Sequence, residues 1–234
     1  MESNRTLIAA VIVALGLASA GAFIGHGMQK LNAGNRAVTV KGLSEKEVAA
    51  DLVIWPITYV EAGNQLPDIY ARIERNNKLV QDLLVASGLK PTDIALAPPK
   101  INDTEANNYG NQASRNRYGA TVVVTVRSSD MKAVKLAMEK SGELVKQGVA
   151  VSLNYEAKPE YLFTKLNAIK PALIAEATQN ARKAAEQFAS DSNSHVGGIR
   201  SASQGQIIIN DRDSGTPEIK VVRVVTTVEY SLVN

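Results

Sequence analysis

Apolar positions divide the chain into a short N-terminal run and a long mixed region. Residues 7–24 contain a single polar side chain, Ser19. A helix over this run would be about 27 Å long at about 1.5 Å per residue, close to the thickness of a bilayer's hydrocarbon core. From residue 36 onward, polar and apolar positions alternate at strand and helix periods. The pattern predicts one N-terminal transmembrane helix and, after it, a globular region.

The N-terminal run has two interpretations. Residues 1–6, with Arg5, resemble the start of a secretory signal, and Ala18-Ser19-Ala20 resembles its cleavage site. The apolar run continues past that point to Ile24, which favours an uncleaved anchor. Because an N-terminal span usually delivers the downstream chain to the far side of the membrane, we expect the N-terminus in the cytoplasm and the main domain outside.

Small residues recur along the predicted span at a spacing of about four. This spacing lets helix backbones approach closely in lipid and favours helix association there. The candidate helix-packing residues are Ala10, Ala14, Ala18, Gly21, Ala22 and Gly25.

Strand and helix patterns succeed one another irregularly after residue 36. Strand patterns cover 38–41, 52–60, 94–96, 118–127, 149–155, 199–209 and 219–233, and helix patterns begin at Pro67, Asp130 and Glu160. We expect the third helix to restart or kink at Pro171 and to bury a face of Ile174, Ala177, Ala181, Ala184, Ala185 and Phe188. Trp55 and Tyr59, on one face of their strand, are expected in the core.

This order predicts an α+β fold rather than a doubly wound parallel sheet. The expected sheet is mixed or antiparallel with three main helices, in a split βαβ-like order and then a C-terminal αββ. We expect a membrane anchor and linker over 1–35 and one domain over 36–234. Two lobes, 36–157 and 158–234, are an option within that domain.

Composition and motifs exclude several classes of function. The 26 basic and 23 acidic residues are scattered without a basic run between aromatics, so we expect no nucleic-acid partner. The absence of cysteine excludes disulfides and thiolate metal sites. Neither HExxH, a Walker A loop nor a GxSxG elbow occurs. We therefore expect a non-enzymatic protein with no catalytic, cofactor-binding or metal-binding residues and no cofactor.

Three features mark candidate contact surfaces. Pro56 removes a donor from its strand, which predicts an edge strand or a bulge there. Residues 102–117 form a long polar stretch, and such loops in compact domains are commonly binding elements or disordered. Residues 207–209 are three β-branched residues in a row, which a lone domain buries poorly. The candidate oligomer or partner contacts are Pro56, Asn102, Asn108, Tyr109, Arg115, Arg117, Ile207 and Ile209.

The ordered set of patterns resembles the SIMPL domain family. The resemblance is carried by VTVKG at 38–42, ADLVIWPI at 50–57, AEATQNARKAAEQFA at 175–189, Gly197-Gly198-Ile199 and VVTTVEYSLV at 224–233. It implies an exported, usually periplasmic bacterial domain, assembly into rings or channel-like oligomers in some members, and a loose link to oxidative or envelope stress. It implies no catalytic residues, and many members have a cleaved signal.

We therefore expect a single-pass inner-membrane protein whose main domain lies in the periplasm. It would self-assemble into a ring- or cage-like homo-oligomer and contact the membrane through its N-terminal helix. Two alternatives remain open. One is a small-ligand-binding or enzymatic domain with a cleft between its lobes, and the other is a monomeric adaptor for another envelope protein.

The anchor interpretation makes a first prediction. If residues 7–24 stay attached, mass spectrometry of the mature protein should find the intact N-terminal segment. A mature N-terminus near Gly21 would instead identify a cleaved signal.

Overall fold

The structure, a computed structural model, describes residues 15–22, 36–106, 115–152 and 158–233. Residues 15–22 are helical and exposed, and Ala18, Gly21 and Ala22 belong to this piece. The other predicted helix-packing residues, Ala10, Ala14 and Gly25, lie outside the described residues. Within the described ranges, no helix reaches the length and apolar character needed to cross a membrane. The transmembrane helix over 7–24 stays a prediction.

From residue 36 onward the described chain is an α+β fold with antiparallel sheets, as predicted. Its strands are β1 (Ala37–Ala49), β2 (Leu52–Gly63), β3 (Ile94–Leu96), β4 (Lys100–Asp103), β5 (Tyr118–Ser128), β6 (Val151–Ser152), β7 (Glu160–Leu162), β8 (His195–Gln204), β9 (Ile208–Asp211) and β10 (Ile219–Val233). Its helices are α1 (Leu66–Ala86), α2 (Met131–Lys140), α3 (Gly142–Lys146) and α4 (Leu166–Asp191), with a 3₁₀ turn at Pro91–Asp93. Four helices replace the expected three because the second predicted helix is divided at Ser141.

Two compact units share these elements. One contains the described residues up to Lys46, Asn167–Ile209 and the residues from Val222 onward. The other contains Glu47–Leu166 and Asn210–Val221. The single domain over 36–234 and its optional lobes at 36–157 and 158–234 stay predictions.

A six-stranded antiparallel sheet forms the centre of the second unit. β2 and β5 pair along their whole lengths, from Val53 opposite Ser128 to Gly63 opposite Tyr118. β3 and β4 pair with the far side of β5, and β6 and β7 pair with the far side of β2.

Alternation along β2 decides which face of this sheet becomes the core. Successive strand side chains point to opposite faces, and Val53, Trp55, Ile57 and Tyr59 are all buried. Helices α1, α2 and α3 contribute buried residues to the same cluster, including Ile69, Val134 and Leu144. The expectation that Trp55 and Tyr59 belong to the core is confirmed.

Pro56 does not lie on an edge strand, so that form of the prediction is wrong, and the β2–β5 register passes through Pro56 without a bulge. β2 has partners on both sides, β5 on one and β6 and β7 on the other. Opposite Thr125, Pro56 is part of the β5 ladder. On its other side the described pairing covers Leu52–Ile54 and Thr58–Tyr59, and residues 153–157 lie outside the described part. Local sequence could not show that short strands flank the proline.

The first unit packs α4 directly on strand β1. A Cβ placed on Gly42 would lie 1.8 Å from the carbonyl oxygen of Ala177 and 2.4 Å from the nitrogen of Ala181. The helix backbone therefore approaches so closely that only glycine fits at this position. The surrounding cluster contains Val40, Ala181, Ala185, Val228 and Tyr230.

The third predicted helix begins later than expected and is continuous. Residues 160–162 form strand β7 rather than helix, and α4 runs through Pro171 without restarting, while a kink at Pro171 stays a prediction. The buried residues recur at a spacing of four through Leu173, Ala177, Ala181, Ala185 and Ala189. Phe188, expected on the buried face, is 60% exposed, because it precedes Ala189 and lies off the row of buried residues that recurs every four positions.

The strand predicted over 199–209 is divided in two. β8 ends at Gln204 and β9 begins at Ile208, while β10 matches its predicted range. β8 and β1 flank β10 in a four-stranded sheet, and β9 also pairs with β10.

The close contact of α4 makes a stability prediction. Ala181→Leu should overpack the cluster around Gly42 and lower the free energy of unfolding by about 1–3 kcal/mol, measured by urea denaturation. Ala175→Leu on the exposed side of the same helix is the matched control and should change it by less than about 0.5 kcal/mol. Equal effects of the two variants would contradict the observed helix phase.

Candidate functional site

One face of the six-stranded sheet, here called the open sheet face, points away from α1, α2 and α3. Paired residues of a ladder share a face, so the register defines its members. They are Leu52, Ile54, Pro56, Thr58, Val60 and Ala62 on β2, Gly119, Thr121, Val123, Thr125 and Arg127 on β5, Ser152 on β6, Leu162 and Glu160 on β7, Ala95 on β3, and Lys100 and Asn102 on β4.

The open sheet face is apolar at its centre and charged at its sides. Leu52, Ile54, Pro56 and Val123 are half-buried, and Val60 is 48% exposed. Charged side chains flank this centre, namely Arg127 and Lys100 on one side and Glu160 on the other. An apolar centre with a charged rim is typical of protein–protein interfaces.

The structure brings two of the sequence-predicted contact residues to this face. Pro56 lies at its centre, and Asn102 lies at the β4 side opposite Gly119. Arg115 is exposed on the segment that returns to β5. Asn108 and Tyr109 lie outside the described residues.

Ile207 and Ile209 belong to the first unit. Ile207 precedes β9 and Ile209 lies within it, and both are half-buried. Ile208 between them is 47% exposed, so the three isoleucines are incompletely covered. Contact of these residues with a partner stays a prediction.

Arg117 closes the base of the polar stretch 102–117. Its guanidinium contacts Asp103 at 3.1 Å and Glu105 at 3.1 Å, and lies 5.0 Å from the centre of the Tyr118 ring. Its backbone N–H donates to the side-chain oxygen of Asn64 at 2.9 Å. The hydrogen bond from Arg117 lowers the pKa of the Asp103 carboxyl, so the pair stays ionised at pH values below the ordinary range of carboxyl titration. Asn102 and Asp103 are strand residues, so the connection between the strands is shorter than predicted.

A polar network that sequence reasoning missed lies on the core side of the sheet. Asn76 is fully buried in α1 and donates to Glu61 at 2.7 Å, and Arg72 donates to the other oxygen of Glu61 at 2.9 Å. The Tyr59 hydroxyl donates to Asn77 at 2.8 Å or to the carbonyl oxygen of Ile73 at 3.2 Å. Asn76 occupies a position of α1 at which the helical period predicts an apolar residue. A polar residue at such a position is the signal in the sequence that could have revealed the network.

The network keeps its tyrosine protonated. Burial, with a further contribution from the negative charge of Glu61, raises the pKa of Tyr59 well above its usual range. The hydroxyl therefore remains a hydrogen-bond donor. The arrangement fastens α1 to β2, and its charged members Arg72 and Glu61 are paired with each other.

The charged turn after β9 is also held internally. Asp213 accepts hydrogen bonds from the Thr216 hydroxyl at 2.6 Å, from Arg212 at 2.9 Å and from the Gly215 N–H at 2.9 Å. Lys220, a nearly buried lysine on β10, is paired with Asp211. The contacts to Asp213 lower its pKa to about 2, chiefly through the Thr216 and Arg212 hydrogen bonds.

The surface also carries depressions of moderate size. One of about 500 Å³ lies in the second unit between α2 and the turn before β10, with Met131, Met138, Tyr161 and Pro217 among its lining residues. Across the described residues, no group of three or more His, Asp or Glu side chains is positioned to hold a metal ion.

These observations define an α+β fold whose charged groups hold its elements together and whose six-stranded sheet, in the part of the chain that the structure describes, buries one face and leaves the other partly exposed. A sequence profile of the SIMPL family, described as proteins of unknown function (DUF541), matches residues 38–229, from β1 into β10. The chain belongs to this family, and the resemblance found in the sequence is confirmed. A search of curated proteins finds no match.

The charged turn makes a pH prediction. Because the folded pKa of Asp213, about 2, lies below its ordinary value of 3.8, its contribution to stability is present above pH 3.8 and is lost as the pH falls through about 2. NMR titration of the Asp213 carboxyl should find a midpoint near 2. Thr216→Val, which removes the hydroxyl donor, should raise that midpoint towards 3.8, and an unchanged midpoint would contradict the assigned cause.

Proposed function

We propose that this chain is a membrane-anchored, extracytoplasmic SIMPL-type domain that self-assembles into a ring- or cage-like homo-oligomer and acts without catalysis. The observation that carries the proposal is the open sheet face, with its apolar centre and charged sides. Contiguous apolar surface of this kind marks interaction sites on soluble domains. Its partner in the proposal is another copy of the chain.

The membrane part of the proposal rests on sequence. The apolar run 7–24 is long enough to span a bilayer, and the helical residues 15–22 are exposed. The proposed location is the inner membrane as a single-pass protein, with the domain in the periplasm and no nucleic-acid partner. The link to envelope or oxidative stress is supported by the family resemblance alone.

Strand edges supply a second kind of contact for a closed ring. Among the described strands, β1 and β8 each pair only with β10 in the four-stranded sheet, so each has one edge without a described partner. Such edges pair readily with another chain unless they are blunted. The pairing register between β8 and β10 shifts on either side of Tyr230, a residue of β10. Such irregularities are one way of blunting an edge. β1 is therefore the stronger candidate.

The non-enzymatic part of the proposal is supported by the use of charged groups in the second unit. Arg72 is paired with Glu61, Arg117 with Asp103, and Arg212 with Asp213. Each pair joins neighbouring elements or closes a turn.

Light scattering after size exclusion tests self-assembly. The full chain in mild detergent and a chain starting at residue 36 should both have masses several times that of one subunit at micromolar concentration. A chain from residue 36 that stays monomeric would contradict assembly by the domain and favour the monomeric adaptor.

A variant with a shortened loop distinguishes assembly through the loop from assembly through the sheet. Replacing residues 106–115 with a short Gly/Ser linker keeps Asp103 and Arg117, which close the base. The variant should assemble as the parent does if the sheet supplies the contact. Loss of assembly with an unchanged melting temperature would place the contact in the loop instead.

A further inference from the structure

We propose that the open sheet face packs against the same face of a second copy, about a two-fold axis that runs along β2 and passes over Ile54. This inference rests on the proposed self-assembly and identifies the surface that carries it. Face-to-face packing of two sheets about 10 Å apart is a common protein architecture. Here the two sheets would come from two copies of the chain.

A row of three residues across the sheet specifies the axis. Ile54 lies opposite Arg127 on β5 and opposite Glu160 on β7. The row therefore reads negative, apolar, positive from one side of β2 to the other. Neighbouring strands are about 4.8 Å apart, so the two charges stand at about equal distances from Ile54.

Two-fold symmetry makes this row complementary to itself. A half-turn about an axis along β2, lying between the two sheets, exchanges the left and right sides of the facing copy. The partner's Arg127 then lies over Glu160, and the partner's Glu160 lies over Arg127. An isologous interface requires this kind of self-complementarity, because each contact occurs twice.

The remaining side chains fit an apolar contact along the axis. Leu52 and Pro56 flank Ile54 on β2, and Leu162 lies beside Leu52 on β7. The face is four strands wide and as long as β5. At ordinary strand spacings this gives a footprint of roughly 600 Å². A stable interface buries about 800 Å² of accessible surface per partner. Because side chains protrude from the sheet, the accessible surface of the face is larger than this flat footprint. The face is therefore of the right size for a second copy.

The chemistry of the face favours a second copy over a membrane surface. Surfaces that lie on lipid combine apolar side chains with Lys and Arg and often with aromatic residues. Here acidic Glu160 stands level with Arg127, and the aromatic residues Trp55 and Tyr59 are buried on the other face. The Glu160 carboxylate at the rim opposes contact with anionic lipid and suits a partner that presents arginine.

The contact has a consequence for the size of the assembly. An isologous interface by itself closes at two copies. The proposed ring or cage would therefore be built from face-to-face pairs, joined by a different contact such as the β1 edge.

Charge reversal in the full chain, in mild detergent, tests the pairing. Arg127→Glu and Glu160→Arg should each weaken the face-to-face association by about tenfold or more, since either change places like charges together twice per interface. The chain carrying both changes should recover the association, because the two charges exchange places. Arg75→Glu and Glu74→Arg, exposed on α1 in the same unit, are matched controls and should leave it unchanged.

Cross-linking gives a measurement that does not depend on weakening the interface. The chain contains no cysteine, so Ile54→Cys introduces a single thiol beside the proposed axis. A bismaleimide with a span of about 10 Å should join two copies through this position, since facing sheets lie about 10 Å apart. Arg75→Cys should give little of the cross-linked pair.

The outcomes separate this inference from the proposed function. A monomeric full chain would overturn both. An assembled chain whose charge variants and controls behave alike, with no cross-link at position 54, would overturn only the face-to-face pair. Single variants that dissociate without rescue by the double change would overturn the pairing of Arg127 with Glu160. Capture of another protein on this face in place of a second copy would do the same.

Discussion

The antiparallel ladder between β2 and β5 is the constraint on which the second unit depends. It pairs Val53 with Ser128 at one end and Gly63 with Tyr118 at the other, so every side chain of both strands is assigned to one of two faces. Helices cover one face and bury it completely at Tyr59. A slip of one residue would exchange the two faces. The core and the open sheet face are therefore consequences of the same register.

The first unit depends on a different constraint, the distance between a helix and a strand. Gly42 allows the backbone of α4 to approach β1, and alanines at a spacing of four keep that distance along the helix. Phe188 lies off this row of alanines and is exposed. The core of the second unit is thus filled by large side chains, whereas the core of the first depends on small residues that let a helix and a strand approach closely.

Periodicity predicted the features that depend on local order, and it failed where distant strands decide. The alternation along β2 identified Trp55 and Tyr59 as core, and β10 was predicted with its observed bounds. Pro56 was misplaced at an edge because only β6 and β7, about a hundred residues away in the chain, make β2 internal. The row of Glu160, Ile54 and Arg127 was likewise invisible, since its members come from three strands whose register sequence does not specify.

The interleaving of the two units has a consequence for truncated forms of the protein. Neither unit is a continuous stretch, because the described chain passes from one to the other near residues 46, 166, 209 and 221. A chain ending anywhere before β10 would leave the first unit without Val228 and Tyr230 and the second without Lys220. During synthesis, neither unit can be completed until β10 has left the ribosome. Strand β1, whose described partner is β10, must therefore wait unpaired, and exposed strands are prone to aggregate during such a period.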